Sequence, residues 1–147
     1  MREILFRGKT LSYESQWVEG FYNHIPCGRF MCDEHCIQTI NEDGRIGQLF
    51  NVYESTVGQF TGLTDKNGTK IFEGDILRNH YFAKPDEEWD ELSVVEMVGG
   101  AWVAKDVKDG TVLTDYADDN LLSYRYSNSE IIGNIHDNPE LLTKGET

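Results

Sequence analysis

Five side chains that could bind zinc lie within thirteen positions of the sequence: His24, Cys27, Cys32, His35 and Cys36. Imidazole nitrogens and thiolates are the usual ligands of tetrahedral Zn²⁺ sites. The spacing matches no specific zinc motif, however, and a Cys-x2-Cys pair is absent. The three cysteines also fit a packing role, as small, half-buried residues of a loop that lies over a sheet. The sequence favours packing, keeps zinc as the alternative, and indicates no other cofactor.

Three further carboxylates, Asp65, Glu73 and Asp75, could serve a metal-dependent hydrolase. Asp65 opens the Asn67-Gly68 turn, and Asp75 follows Gly74 at a bend. Aspartate is common at such positions because its side chain accepts hydrogen bonds from nearby backbone N–H groups. No partner base is evident, and the glycines lack the Lys-Ser/Thr ending of a phosphate-binding loop. We therefore predict that these acids shape turns, and we predict no catalytic residue.

Residues 86–91 hold five carboxylates in six positions, with Trp89 among them. Like charges at this density repel one another, so we predict a solvated loop. Paired carboxylates also bind Mg²⁺, but adjacency in a loop does not show that they converge on an ion. Trp89 is interpreted as a loop anchor or a partner contact.

The overall charge restricts the kinds of partner. The chain of 147 residues has 13 Lys and Arg against 26 Asp and Glu, a net charge of −13. Binding to a phosphate backbone depends on basic residues, so direct nucleic-acid binding is not expected, whereas a basic partner would fit. The sequence has no apolar run of membrane-spanning length and no signal-peptide core. Three cysteines suit a reducing compartment, and we expect a cytoplasmic protein.

Short apolar runs separated by turn signals predict a mostly β fold of the α+β class. In residues 1–73 we expect a β meander, with strands at 3–7, 17–22, 36–40, 46–53 and 57–61. Asp43-Gly44 predicts one hairpin turn in this half. Asn67-Gly68 predicts a second turn, between extended arms at 60–63 and 70–72.

Residues 74–147 are expected to form the other half of one packed unit. Five short strands between residues 74 and 137 predict a small SH3-like barrel. They include 76–82, 92–98, 101–105 and 111–116, with Gly99-Gly100 as a hairpin link, and 129–136 as the last strand. Residues 121–126 are assigned to either a strand or a helical turn. Asn138 as the cap and Pro139 at the first position predict a short C-terminal helix.

Several segments resemble the YopX family of small proteins from bacteriophages and prophages. They are MREILFRG at 1–8, TVGQFTGLTDKNG at 56–68, IFEGDI at 71–76, IGNI at 132–135 and NPELL at 138–142. The resemblance spans nearly the whole chain and implies a phage or prophage origin and a mixed, mostly β fold. It implies no biochemical activity and no site residues. It also implies no metal ligands between 24 and 36, so a metal there would be particular to this chain.

Three classes of function remain. The first is a non-enzymatic protein-interaction or self-assembly module, because aromatic side chains exceed what a thin sheet core can hide, even with Trp17 and Trp102 placed in that core. The second is an acidic nucleic-acid mimic that inhibits a basic host or phage enzyme. The third is a metal-dependent hydrolase, which the turn interpretation of the acids disfavours. The sequence favours the first class and indicates that the protein is not an enzyme.

Overall fold

The computed structural model describes residues 3–25, 34–113 and 128–143. In these residues ten strands form two antiparallel sheets, and the helical content is limited to two short 3₁₀ segments. The prediction of a mostly β fold is confirmed. No described helix is long and apolar enough to cross a membrane. The chain divides into two compact units, Met1–Phe60 and Thr61–Thr147.

The first unit is built on a meander of four strands. These are β1 (Phe6–Lys9), β2 (Trp17–Ile25), β3 (Glu34–Ile40) and β4 (Ile46–Asn51). Each pairs antiparallel with the next, and the first residues of β5 (Gly58–Thr64) pair with β1. A 3₁₀ segment, Glu54–Thr56, precedes β5. The predicted meander is present over β1 to β4, whereas β5 crosses back to pair with β1 instead of β4.

Burial in the first unit falls on both sides of β3, where the neighbours Cys36 and Ile37 point to opposite faces, and on the segments that flank the meander. The buried apolar residues are Leu5, Cys36, Ile37, Val52 and Phe60. Val52 packs so closely on Gly8 that a Cβ at Gly8 would lie 3.0 to 3.2 Å from its side-chain carbons. The predicted location of Trp17 in the core is wrong: Trp17 is only half-buried, with the Arg7 guanidinium 4.5 Å from its ring centre.

The second unit holds the rest of β5 and five further strands. They are β6 (Lys70–Phe72), β7 (Asp75–Lys84), β8 (Glu87–Val98), β9 (Ala101–Asp106) and β10 (Glu130–Asn134). The last four form a sheet in the order β10-β7-β8-β9. Its core consists of Ile71, Leu77, Val95, Trp102 and Ala104, with Leu63 and Ile131 packed against it. The core position predicted for Trp102 is confirmed.

The SH3-like barrel is not confirmed, because the described part of this sheet is open and ends at β10 and β9. Of the strand predicted at 111–116, Val112 forms a single bridge to Lys105. Residues 114–127, including the uncertain segment 121–126, lie outside the described residues. The C-terminal helix is a 3₁₀ segment, Pro139–Leu142, and the Asn138 side chain makes no capping bond to it.

The solvated loop predicted at 86–91 is wrong, because Glu87 to Glu91 form the start of β8. These residues pair across the hairpin with β7, from Lys84↔Glu87 to Asn79↔Glu91. Their side chains are mostly exposed, so water screens the repulsion that suggested a loop, while the backbone hydrogen bonds of the ladder are kept. The local charge density therefore did not decide the backbone conformation.

Candidate functional site

The structure places His24 and His35, two of the candidate zinc ligands, directly opposite each other on β2 and β3. Their rings stack at 4.5 Å between centres, with 4° between planes. Cys36 follows His35 in the same strand and therefore points to the opposite face. It is fully buried, and its Sγ donates to Asn51 Oδ1 at 3.1 Å. The structure thus separates Cys36 from the two histidines.

Both ring nitrogens of His35 already have partners. The Tyr22 hydroxyl lies 2.5 Å from Nδ1, and Glu54 Oε2 lies 3.4 Å from Nε2. The described residues hold no group of three or more His, Cys, Asp or Glu side chains arranged for a metal ion. Cys27 and Cys32 lie outside the described residues, so the zinc site stays a prediction.

The chain of contacts from Tyr22 through His35 to Glu54 has the order of a nucleophile, a base and an orienting acid. Burial, followed by the Glu54 carboxylate and by Cys36, raises the pKa of Tyr22. The phenol therefore keeps its proton at neutral pH, and it shares a hydrogen bond with Nδ1 in which the tautomer of the His35 ring decides which atom donates. The arrangement holds a proton rather than releasing one, and it ties β2, β3 and the 3₁₀ segment together.

Sequence reasoning found only part of this cluster. Tyr22 lies two residues before His24, so the alternation of a strand places both on one face, and this signal could have included it. Glu54 reaches His35 from a segment nineteen positions away, and no local pattern marks it.

The carboxylates of the central turns bind backbone groups, as predicted. Asp65, only 5% exposed, accepts from the N–H groups of Asn67 and Thr69 at 2.9 Å each, and from Ile131 N at 3.1 Å. Asp75, 1% exposed, accepts from Phe72 N at 2.8 Å. The predicted turn role is confirmed for both. These hydrogen bonds are typical of structural residues, so Asp65 and Asp75 give no support to the hypothesis of a metal-dependent hydrolase.

The segments around residues 74 and 134 meet at one end of the β7–β10 pair. Asn134 lies opposite Asp75, Gly74 N donates to Val95 O, and Ile135 N donates to Gly74 O. The Asn134 Oδ1 atom accepts from the backbone N–H groups of the next turn, at 3.0 and 2.9 Å. These contacts assemble the second unit and involve no reactive side chain.

The acidic hairpin, defined as residues 80–91, carries different chemistry on its two faces. On one face His80 lies between two carboxylates, with Nδ1 2.5 Å from Asp90 Oδ1 and Nε2 3.6 Å from Glu88 Oε2. On the other face Tyr81 and Trp89 stack with ring centres 5.5 Å apart, and Trp89 is 50% exposed. Trp89 is thus accessible to a partner, although it lies in a strand rather than a loop.

A groove of about 500 Å³, which sequence reasoning missed, lies in the second unit. Four aliphatic side chains line it, together with charged side chains of both signs: Leu92, Val107, Ile132, Leu141, Arg78, Asp90, Lys108 and Glu140. Arg78 is paired with Glu130 at 2.6 Å, and this hydrogen bond, aided by Lys66, lowers the pKa of the Glu130 carboxyl. Neither charge sign dominates the groove.

The first unit carries an exposed apolar surface, which we call the β2–β4 face and define by Phe21, Ile25, Ile40, Ile46 and Leu49. The pairing register places these side chains on one side of three strands, with Phe21, Gln38 and Leu49 in a row and Ile40 opposite Ile46. All five are exposed, from 39% at Ile40 to 72% at Ile46. Large apolar side chains grouped in this way mark interaction surfaces more often than single exposed residues do.

Comparison with known proteins supports the fold and gives no activity. The family model described as "YopX protein" matches residues 17–143. The chain is also similar to protein EF1440 from Enterococcus faecalis, known from a crystal structure, with 24% identity and a TM-score of 0.56. That match covers 97% of this chain and 99% of the other. None of the curated proteins matches.

Proposed function

The chain belongs to the YopX protein family, and we propose that it is a non-enzymatic protein-interaction module that a phage or prophage supplies as an accessory protein. We place its action in the cytoplasm of the host cell. The phage origin in this proposal is supported by the resemblance of the sequence segments given above.

The β2–β4 face carries this proposal. Five large apolar side chains stand exposed there on three neighbouring strands, which is the composition of the centre of a protein interface rather than of an ordinary polar sheet surface. Gln38, in the middle of the face, has its amide nitrogen bonded to Gly47 O at 2.8 Å. One of the two amide N–H groups of Gln38 is therefore already satisfied when a partner covers the face.

The chemistry of the best reactive cluster supports the non-enzymatic part of the proposal. A tyrosine nucleophile or base needs a lowered pKa, whereas the pKa of Tyr22 is raised. The carboxylate oxygens of the buried acids Asp65 and Asp75 accept hydrogen bonds from backbone N–H groups. These contacts explain the positions of all three side chains without a substrate.

A photo-crosslinking amino acid at position 49, compared with position 11, tests the interaction module. Leu49 and Leu11 are exposed to a similar extent, 47% and 52%, but only Leu49 lies on the β2–β4 face. We expect discrete crosslinked protein products in cells that express the Leu49 variant, and none with the Leu11 variant. Absence of any product at position 49, including products with the chain itself, would reject the proposal.

A second candidate function, an acidic inhibitor that mimics nucleic acid, is favoured by the acidic hairpin. Because Glu88 and Asp90 alternate along a strand, their carboxylates are held on one face at a spacing of about 7 Å, rather than scattered in a loop. Binding to a basic DNA-processing enzyme that weakens with rising salt, and that is lost in Glu88→Gln with Asp90→Asn, would support it. Binding unaffected by salt would argue against mimicry.

We also propose the SH3-like barrel as the finer description of residues 74–137. The open sheet β10-β7-β8-β9 supplies four of its strands. Backbone hydrogen exchange across residues 114–127 tests it, because a closing strand would protect amides there from exchange.

A further inference from the structure

We propose that the partner of the β2–β4 face is a second copy of this chain, which covers the face about a two-fold axis. This inference rests on the proposed interaction module and names its partner. Three observations carry it: the area of the face, the blocked edge of β4, and the distribution of charge along the chain.

The area suits a small symmetric interface. If a fully exposed large apolar side chain offers about 200 Å², the exposed fractions of the five residues give roughly 500 Å² per copy. Two copies would then bury about 1,000 Å² of apolar side chain, before the polar rim is counted, which reaches the lower range of specific interfaces. The same patch on a monomer is already at the size that usually has a function.

The edge of β4 argues for contact through the face rather than through strand addition. At one end of the outer edge of β4, Leu11 N donates to Asn51 O, so this carbonyl is already occupied. The register also shifts between Gln38 and Ile40. Bulges and occupied backbone groups are means by which sheets prevent edge pairing. A copy is therefore expected on the face, where a two-fold axis closes the assembly.

The low net charge of the first unit allows the first units of two copies to approach each other. Residues 1–60 hold 5 Lys and Arg against 8 Asp and Glu, a net −3, whereas residues 61–147 hold the other 8 and 18, a net −10. None of the five side chains that define the face is charged. Repulsion between copies is therefore smallest for contacts through the first unit, and salt should strengthen rather than weaken them, because it screens the remaining repulsion and favours apolar burial.

Sedimentation velocity of the purified chain over a concentration series, up to about 500 µM, tests the inference. We expect a monomer–dimer equilibrium with a dissociation constant on the order of 10⁻⁵ M, as for a weak complex. Leu49→Lys should raise that constant by about tenfold or more, since a two-fold interface contains the residue twice. Leu11→Lys, the matched control, should leave it unchanged.

Circular dichroism checks that Leu49→Lys remains folded, and Ile46→Ser serves as a second variant if it does not. A monomer at the highest concentration would overturn the inference, and so would equal weakening by Leu11→Lys. If the chain is monomeric but position 49 crosslinks to another protein, the second copy is rejected and the interaction module stands. If position 49 crosslinks to nothing, both are rejected.

Discussion

Replacement of Asp65 by alanine should destabilise the second unit more than any other single carboxylate change in a described turn. The Asp65 side chain accepts three backbone hydrogen bonds, from Asn67, Thr69 and Ile131, and is almost fully buried. Two of these bonds fix the turn between β5 and β6. The third ties that turn to β10, which is 66 positions away in sequence. One side chain therefore joins a local turn to a distant strand.

The size of the destabilisation depends on whether each backbone N–H donor can bond to water once the Asp65 carboxylate is removed. Asn67 and Thr69 are exposed, so their N–H groups can turn to water at a cost of about 0.5–1.5 kcal/mol each. Ile131 is only half-exposed, and its N–H would lose a charged acceptor at a cost of about 1–3 kcal/mol. Asp65→Ala should therefore reduce the free energy of unfolding by about 2–6 kcal/mol. That is a large part of the 5–15 kcal/mol typical of whole domains.

The Asp65→Asn variant separates the loss of the hydrogen bonds within the turn from the loss of the hydrogen bond to Ile131. An asparagine can keep an oxygen towards Asn67 and Thr69, but its amide N–H₂ group then faces the N–H of Ile131. We expect a loss of about 1–3 kcal/mol, between wild type and Asp65→Ala. Asp43→Ala is the matched control, because Asp43 also accepts from a turn N–H, that of Arg45, but at an exposed site where its further contact is an ion pair with Arg45 Nε at 3.5 Å. It should cost less than about 0.5 kcal/mol.

Urea unfolding followed by circular dichroism measures the free energies, and hydrogen exchange of the Ile131 amide localises the effect. A chain of two units need not unfold in one step, so the exchange rate at Ile131 is the more direct measurement. The reasoning is refuted if Asp65→Ala costs no more than Asp43→Ala, or if the Ile131 amide keeps its full protection in Asp65→Ala.

Three further predictions concern single contacts. Gly133→Ala should destabilise by about 1–3 kcal/mol, because the added Cβ would lie 2.3 Å from Asn138 Oδ1; thermal unfolding should show less loss when Asn138→Gly accompanies it. Burial raises the pKa of the Cys36 thiol. The contribution of the buried thiol to the free energy of folding is therefore complete below the ordinary thiol pKa of about 8.5, and it is lost as the pH rises above that value. In a variant with serine at the other two cysteines, a thiol reagent should react slowly with Cys36 until denaturant is added, and fast labelling would contradict this. The hydrogen bond from Arg78 lowers the pKa of the Glu130 carboxyl. The pair therefore stabilises the folded chain at pH values above the ordinary Glu pKa of about 4.3, and this stabilisation is lost as the pH falls through the pKa of Glu130 in the folded chain. Glu130→Gln should therefore match wild type only in acid, and an NMR titration of the Glu130 carboxyl should give a midpoint below the ordinary value.

Hairpin turns were predictable because their determinants are local. Gly44, Gly68, Gly99 and Gly100 all have positive φ, between 58° and 84°. Glycine adopts this region without the steric cost that other residues meet. A dipeptide such as Asn67-Gly68 therefore marks the turn whatever its distant neighbours are, and the flanking strands follow within a few residues.

The acidic hairpin shows where local reasoning failed. Its conformation depends on pairing with β7, through which Tyr81 meets Trp89 and His80 meets Asp90. A count of carboxylates in one segment contains no information about the strand that segment faces. Cross-strand pairs supply the stabilisation, and they are set by register rather than by composition.

An element boundary separates two members of the candidate zinc cluster, His35 and Cys36. The predicted third strand began at Cys36, which left the direction of the His35 side chain open. The strand begins at Glu34, so His35 and Cys36 must point to opposite faces. An error of two residues in a strand start thus changed which side chains could meet, and the partners of His35 became Tyr22 and Glu54 instead.

Most segments that carry the family resemblance take part in folding the second unit, and this determines what membership in the family can predict. The Asp65 side chain accepts from Ile131 N, Lys66 N donates to Ser129 O, and Ile135 N donates to Gly74 O. Since these contacts join the central resemblance segments to the last strand and the residues on either side of it, the resemblance specifies a scaffold. Surfaces outside those segments, above all the β2–β4 face, are then where the function of this chain must be tested, and variants such as Leu49→Lys can change the partner without changing the fold.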